Sequence, residues 1–479
     1  MKNYTTLILA GLVIVLAAVL VGVLVYMQNQ PVEQRTVQPL VEIAEMEPDS
    51  SKWAVNFPNQ YDTFMKTKTN NVDTTYGGSS AFSWLERDPR QVILFAGYPF
   101  SKDYNDDRGH ANALEDVRAT KRLNLDDSDP KHTPATCYSC KSSDNPGLWA
   151  ELGMEAYDAM SFNEMTPNIE NSIGCANCHE AGTMRLIVTN PALKEAFERQ
   201  GKDWTTFSRQ EMRTVVCANC HVEYYFKGDG KYLTFPWDNG TKVEEIIAYY
   251  EEAGFKDWAY PETDTPMLKA QHPEFEFFTA GSTHYEAGVA CADCHMPYVR
   301  DGASKYSSHD VHSPLLNPEA SCGQCHTDTK YVVGRVATIQ KQVADTKIAA
   351  EDAILDAIHA IKLAAADPNV DVELLDQARK LHREAQFMWD FISAENSTGF
   401  HNPGVCARRA CQVREPGTRS PDACGAVHQR PVPADYGYLL RRVQPVTEIQ
   451  PNSPPHMAGN FISGNIRGAR VVLPRKEKT

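Results

Sequence analysis

Five Cys-x-x-Cys pairs between residues 137 and 326 constrain this 479-residue chain most. Four are followed by histidine: Cys175/Cys178/His179, Cys217/Cys220/His221, Cys291/Cys294/His295 and Cys322/Cys325/His326. The first ends in lysine instead, as Cys137/Cys140/Lys141. A Cys-x-x-Cys-His run is a c-type haem attachment site, in which two thiols bond to the porphyrin and the next residue ligates the iron. One pair alone reads equally well as a zinc knuckle or a redox thiol pair. Zinc ribbons give no role to the residue after each second Cys, and a disulfide framework would not repeat so regularly. The repeat therefore predicts five c-type haems. Lys141 offers its iron a different donor from the other four, which marks that haem as the expected centre of chemistry.

With 42% hydrophobic residues the chain has ample material for a core, but five macrocycles would fill much of it. The expected fold is mainly α, a multihaem cytochrome c wrapped around five haems rather than a set of separable domains. Lys+Arg and Asp+Glu number 47 and 62, a net charge of −15 that argues against a nucleic-acid partner. Leu7 to Tyr26 is a run of 20 residues without charge, enough to span a bilayer. It reads as an uncleaved anchor or a signal; no small-x-small site precedes Gln28, which favours the anchor. Lys2 keeps the N-terminus cytoplasmic, so the rest is expected in the periplasm, tethered to the inner membrane.

The expected organisation is an anchor or signal over 1–30, a tether over 31–49, a haem-bearing catalytic region over 50–335, and long helices over 336–403. A basic tail covers 404–479. Residues 50–134 read as loops and short helices. The apolar spacing of Pro191 to Gln200 and Val243 to Gly254 suits short helices. From Val336 the pattern Ile339, Val343, Thr346, Ala350, Ala353, Ile354, Ala357, Ile358, Ile361 follows a helical period. Asp367-Pro368 breaks it, and a second helix runs from about Val372 to Ile392. A long helical hairpin is predicted near the C-terminus.

Over roughly Ser50 to Pro403 the chain resembles the pentahaem cytochrome c nitrite reductases, which form ammonium. The resemblance rests on the Cys-x-x-Cys-Lys followed by four Cys-x-x-Cys-His motifs. It rests also on Arg108-Gly109-His110, Glu223-Tyr224-Tyr225, Lys269-Ala270-Gln271-His272-Pro273 and Gly399-Phe400-His401-Asn402-Pro403, in that order. It implies reduction of nitrite with six electrons at the Lys141 haem, with Arg108, Tyr224 and His272 on the open face. A permanent cation, a phenol and an imidazole suit an anionic substrate that takes up protons. His110, His284, His309 and His401 are implied as the second axial ligands of the four other haems. His312 competes with His309, and the pairing of these histidines with particular haems stays open. One Ca²⁺ is implied at Glu223, the Tyr224 and Lys269 carbonyls and Gln271, all hard oxygen donors. Tyr224 and His272 each adjoin one of these ligands. The implied electron donor is a membrane tetrahaem quinol dehydrogenase, with a homodimer as the assembly.

After Pro403 the chain departs from the family pattern. Residues 404–479 hold 12 Lys+Arg against 5 Asp+Glu, a balance of +7 after −22 in the preceding part. They are rich in Pro and Arg, contain Cys406, Cys411 and Cys424, and show no apolar period over Arg408 to Ala434, which predicts disorder there. A reading-frame change just after the Pro403 codon and a natural basic tail are the two readings. Either puts the family dimer in doubt, because long C-terminal helices make that contact. Two other functions are weighed: a non-catalytic multihaem electron-transfer cytochrome, and a hydroxylamine oxidoreductase, for which no dedicated feature is seen.

Overall fold

The computed structural model describes residues 2–29, 39–123, 133–406, 461–466 and 469–474. The uncharged N-terminal run forms one helix, α1 (Lys2–Asn29). Its continuously described side chains run only from Leu9 to Val23, and among the described residues no helix is long and apolar enough to cross a membrane. The tether and the expected disorder over 408–434 lie outside the described residues.

The haem-bearing region is built from short helical turns and two-stranded antiparallel ribbons, as its irregular composition predicts. Each motif folds as a tight turn. The His179, His221 and His326 amides donate to the Cys175, Cys217 and Cys322 carbonyls at 2.9–3.0 Å, and the Lys141 amide to the Tyr138 carbonyl at 2.9 Å. Such a turn sets both thiols and the ligand on one side of the backbone. Between motifs, the apolar spacings become α2 (Pro191–Arg199) and α3 (Val243–Glu252). Asn190 caps α2 by accepting from the Ala192 amide at 3.0 Å, with Pro191 at the first helical position where its missing N–H costs nothing. A large core joins Tyr138, Trp149, Tyr157, Phe162, Phe197, Phe235 and Trp237, with Cys137, Cys178 and Cys217 packed against it.

The predicted hairpin is present as α4 (Thr329–Ala365) and α5 (Val372–Ala394). α4 starts seven residues before the expected Val336, because Asp328 caps it by accepting from the Tyr331 amide at 2.9 Å. No residue of the first two turns is buried, so the apolar period could not reveal them. Ala350, Ile354 and Ile358 of α4 meet Ala385 and Trp389 of α5 over Leu94, Phe95, Trp258 and Met267. Ile361 and Ala364 close the hairpin's end against Leu375 and Ala378.

Polar ties fasten the hairpin to the haem-bearing region. Arg383 donates to the Pro266 and Phe255 carbonyls at 2.9 and 2.7 Å and to Glu251 at 2.6 Å. Asp390 pairs with Lys269 at 2.9 Å, each side chain 1% exposed, and also accepts from the Ala270 amide at 2.8 Å. The Lys269 ammonium lies 5.1–5.2 Å from the ring centres of Phe95, Phe100 and Tyr104, an aromatic box that adds cation–π attraction. Removing one partner of a buried pair leaves the other charge uncompensated, at a cost of about 3–5 kcal/mol. Asp390→Ala is therefore expected to lower denaturation stability by about that amount, whereas the exposed Asp345→Ala, which loses only the Lys341 pair, changes it by about 1 kcal/mol or less.

Candidate active site

Eight histidines come together as four facing pairs, each joining a motif histidine to one from a distant segment. Ring centres are 6.4 Å apart in His110/His221, 6.2 Å in His179/His309, 6.3 Å in His284/His326 and 6.1 Å in His295/His401. A metal–imidazole bond of about 2 Å plus about 1.1 Å from nitrogen to ring centre, taken twice, gives about 6.2 Å, so each pair is spaced to hold one iron between its rings. This assigns partners that the sequence left open, and it separates His309 from His312. His312 instead accepts from the His295 Nδ1–H at 3.0 Å through its carbonyl. Carbonyls of Met184 and Ser307 likewise take the Nδ1–H of His179 and His309, at 3.1 and 2.9 Å, which leaves Nε2 of these three rings for metal.

The motifs are also neighbours. The Cys140 thiol is within hydrogen-bond reach of Cys220, and Cys217 of Cys291, while Cys178 and Cys322 lie close enough to Cys220 and Cys294 respectively to influence their ionisation. The third motif thus adjoins the first, second and fourth, and the fifth adjoins the fourth.

The fifth motif lies nearer the protein surface than the other four. Cys325 is exposed, whereas the other nine motif cysteines are partly covered, and His326 is exposed beside it. The physical reason is local: Cys325 lies between the short helix Pro318–Ser321 and the polar start of α4, with Gly323, Gln324, Thr327 and Asp328 around it all exposed. Apolar side chains that would draw a second layer over the turn are missing from this stretch. Cys322, on the other arm of the motif, is partly covered and acts on Cys294 of the fourth motif more strongly than Cys325 does.

Lys141 belongs to none of the imidazole pairs. Its Nζ donates to Asp107 at 2.5 Å. Burial pulls its pKa down, but Asp107 and the Cys140 and Cys220 thiols leave it raised overall. His272 lies in the same electrostatic neighbourhood, with Lys141, Asp107, His221 and Glu274 around it; the protein around it lowers it to about 4, while its surface stays open to solvent. Tyr224 is partly buried beside Cys137, Cys140 and Glu223, and loss of water first, then those groups, hold its phenol well above 10 and protonated. The structure brings Lys141, Tyr224 and His272 together.

Arg108 is the exception, and the expectation for it is corrected. Its guanidinium donates to Asp116 at 2.6 and 2.9 Å and lies 3.2 Å from Glu115, both in the first turn of the helix Ala113–Ala119. Arg122 is the cation on the site side. Its charge acts on Asp107, Tyr224 and Cys137, and its guanidinium is held 4.2 Å over the Phe100 ring and 3.1 Å from the Asp103 carbonyl. Arg108 stands out in the sequence because it adjoins the axial candidate His110. Arg122 follows the end of the same helix, on the path to Cys137, and that placement is the available signal.

The proposed calcium ligands also converge. Glu223 is fully buried, and its carboxylate accepts from the Tyr250 hydroxyl at 2.9 Å and the Gln271 amide at 2.6 Å. The Gln271 side chain reaches the Lys269 carbonyl at 3.3 Å. Burial holds the Glu223 carboxyl well above its usual range, with Glu276 and Asp257 adding to the effect. Burial likewise raises Glu276, to about 8; its Oε1 accepts from the Glu223 amide at 2.8 Å, and its other oxygen has no partner among the described residues. A buried, carboxylate-rich, all-oxygen environment fits a hard divalent cation. Among the described residues no cluster of three His, Cys, Asp or Glu could hold a metal.

Known proteins resemble this chain over most of its length. The cytochrome c552 family matches residues 49–417. A cytochrome c-552 of Parabacteroides distasonis is 43% identical over 366 residues, 76% of this chain and 73% of that one. The cytochrome c nitrite reductase subunit NrfA of Nitratidesulfovibrio vulgaris is 37% identical over 76% of each chain. The solved cytochrome c nitrite reductase of Desulfovibrio desulfuricans superposes with a TM-score of 0.75 at 34% identity, covering 84% of this chain and 87% of that one. That protein is described with two calcium sites in its catalytic subunit, where one was expected here. On the extent of these matches, the chain belongs to the cytochrome c552 family, that of the cytochrome c nitrite reductases.

Proposed function

We propose that the chain is an ammonia-forming nitrite reductase, adding six electrons and eight protons to nitrite at the haem of the Lys141 motif. The observation that carries the reading is the asymmetry of the five motifs: four have an imidazole opposite, and the first, that of Lys141, has Tyr224, His272 and Arg122 around it. Five c-type haems, when bound, supply an electron path and one iron with an open face for the substrate. The Lys141 amine acts as a ligand only when deprotonated, and Asp107 is placed to accept a hydrogen bond from it. Arg122 attracts and orients the anion with a charge that does not titrate. Tyr224 and His272, both protonated at a donor atom near neutral pH, give hydrogen bonds and protons to oxygen as it leaves.

Calcium held by Glu223, the Tyr224 and Lys269 carbonyls and Gln271 would fix the two segments that carry Tyr224 and His272. The periplasmic location, the α1 anchor and a membrane tetrahaem quinol dehydrogenase as donor complete the proposal, and the tail leaves the homodimer open. A multihaem carrier without an open iron is the second reading. It requires a spectrum indifferent to cyanide and nitrite, whereas the reductase has a high-spin haem that both perturb.

Arg122→Ala is expected to lower kcat/KM for nitrite by about 10²–10³-fold, as loss of one pre-organised charge at a reacting anion does, while Arg108→Ala stays within a few-fold. Steady-state kinetics with a reduced viologen decide between them. Lys141→His should retain five haems by pyridine haemochrome assay yet lose most turnover; unchanged turnover would refute the role given to Lys141. Chelation should lower turnover and added Ca²⁺ restore it, and Glu223→Gln should abolish that response.

A further inference from the structure

The four imidazole pairs differ in what their outer nitrogens touch. Both rings of His179/His309 give their Nδ1–H to neutral peptide carbonyls. In His295/His401 one ring does so, but His401 Nδ1 lies 3.1 Å from the Glu395 carboxylate. Glu395 has a fully buried side chain and sits in a built anion cage, since it also accepts from the Ser397 hydroxyl at 2.6 Å, the Ser397 amide at 3.0 Å and the Gly399 amide. In His110/His221, the Glu274 Oε2 lies 3.6 Å from His221 Nδ1 and has no hydrogen-bond partner among the described residues.

A carboxylate at the outer nitrogen makes an imidazole a stronger donor to its metal. Its charge also favours ferric over ferrous iron, because the oxidised centre carries one more positive charge. We infer that Glu395 and Glu274 are redox-positioning residues that set the haems held by His295/His401 and His110/His221 at lower reduction potentials than the haem held by His179/His309. The inference rests on the reading of these pairs as axial ligands. Each haem takes one electron, Fe(III) to Fe(II), and the proton on Nδ1 stays on the hydrogen bond throughout. Since the third motif adjoins the first, second and fourth, the low-potential centres occupy the junction of the path, and electrons arriving under partial reduction rest first on the His179/His309 haem.

The test is a spectroelectrochemical titration, followed by EPR, of the full holoprotein with its haem content measured. Wild type must first show five haems with four low-spin centres; failing that, the ligand assignment itself falls, independently of the tuning. Glu395→Gln and Glu274→Gln are each expected to raise one low-spin midpoint and leave the others in place. Ser397→Ala removes a donor to Glu395 and also the acceptor of the His401 amide; with haem content and the count of low-spin centres unchanged, the less neutralised Glu395 charge should move the same midpoint as Glu395→Gln but downward. A purely structural role would not produce shifts of opposite sign. If Glu395→Gln fails to load haem, Ser397→Ala decides the case for Glu395. Midpoints unmoved in haem-complete variants would overturn the inference.

Discussion

Four histidine pairs bring imidazoles from separate parts of the chain to nearly the same separation, 6.1–6.4 Å, and the rest of the fold is organised to meet that constraint. His110 must meet His221, His179 must meet His309, and His401 must return to His295. Only chain already tied down can deliver a ring to within a few tenths of an ångström. The ties are visible at His309, whose amide donates to Thr63 at 2.9 Å, and at His401, whose amide donates to Ser397 at 2.8 Å. Short turns and ribbons suit this task better than a continuous helical core would, because each can be stapled separately.

The catalytic group depends on a second kind of constraint, the management of buried charge. The segment from Lys269 to Glu274 carries proposed calcium ligands, His272 and a carboxylate beside His221. It is held through Lys269 and Ala270 by Asp390 of α5, and through the Lys269 amide by Asp257 at 2.8 Å. The long hairpin therefore does more than extend the molecule, since its second helix supplies the anion that fixes the strip bearing the site. Burying Lys269 is tolerable only because that anion and three aromatic rings replace water around it.

Much of this was legible in the residues. The haem motifs, the odd lysine and the hairpin each follow from a local pattern, and local patterns survive folding. The facing of His284 with His326, or of His309 rather than His312 with His179, could not be read, because it depends on the path of the chain between segments. The exposure of Cys325 is of the same kind: its motif has the same form as the three other histidine motifs, and only the lack of covering chain distinguishes its surroundings. Arg108 shows the limit from another side. Its neighbour His110 faces a motif histidine, but adjacent residues on a tight turn point in different directions, and Arg108 is drawn to Asp116 instead. The start of α4 was missed because a polar cap, Asp328, sets it rather than an apolar stripe.

The exchange of histidine for lysine in one motif acquires its meaning from what the other four share. In the proposed reading, an imidazole facing a second imidazole across one iron would leave no coordination position for a substrate, so four such pairs would only pass electrons. Lys141 is as well covered as His179, His221 and His295, yet the groups gathered around it are an acid, a phenol, an unpaired imidazole and a guanidinium held over Phe100. Those groups have no value to an electron carrier and clear value to an anion that must gain protons as it gains electrons. In the proposed reading Lys141 is neutral as a ligand and lies on the other side of the iron, so Arg122 is the positive charge offered to an entering anion, and that charge does not titrate near neutral pH.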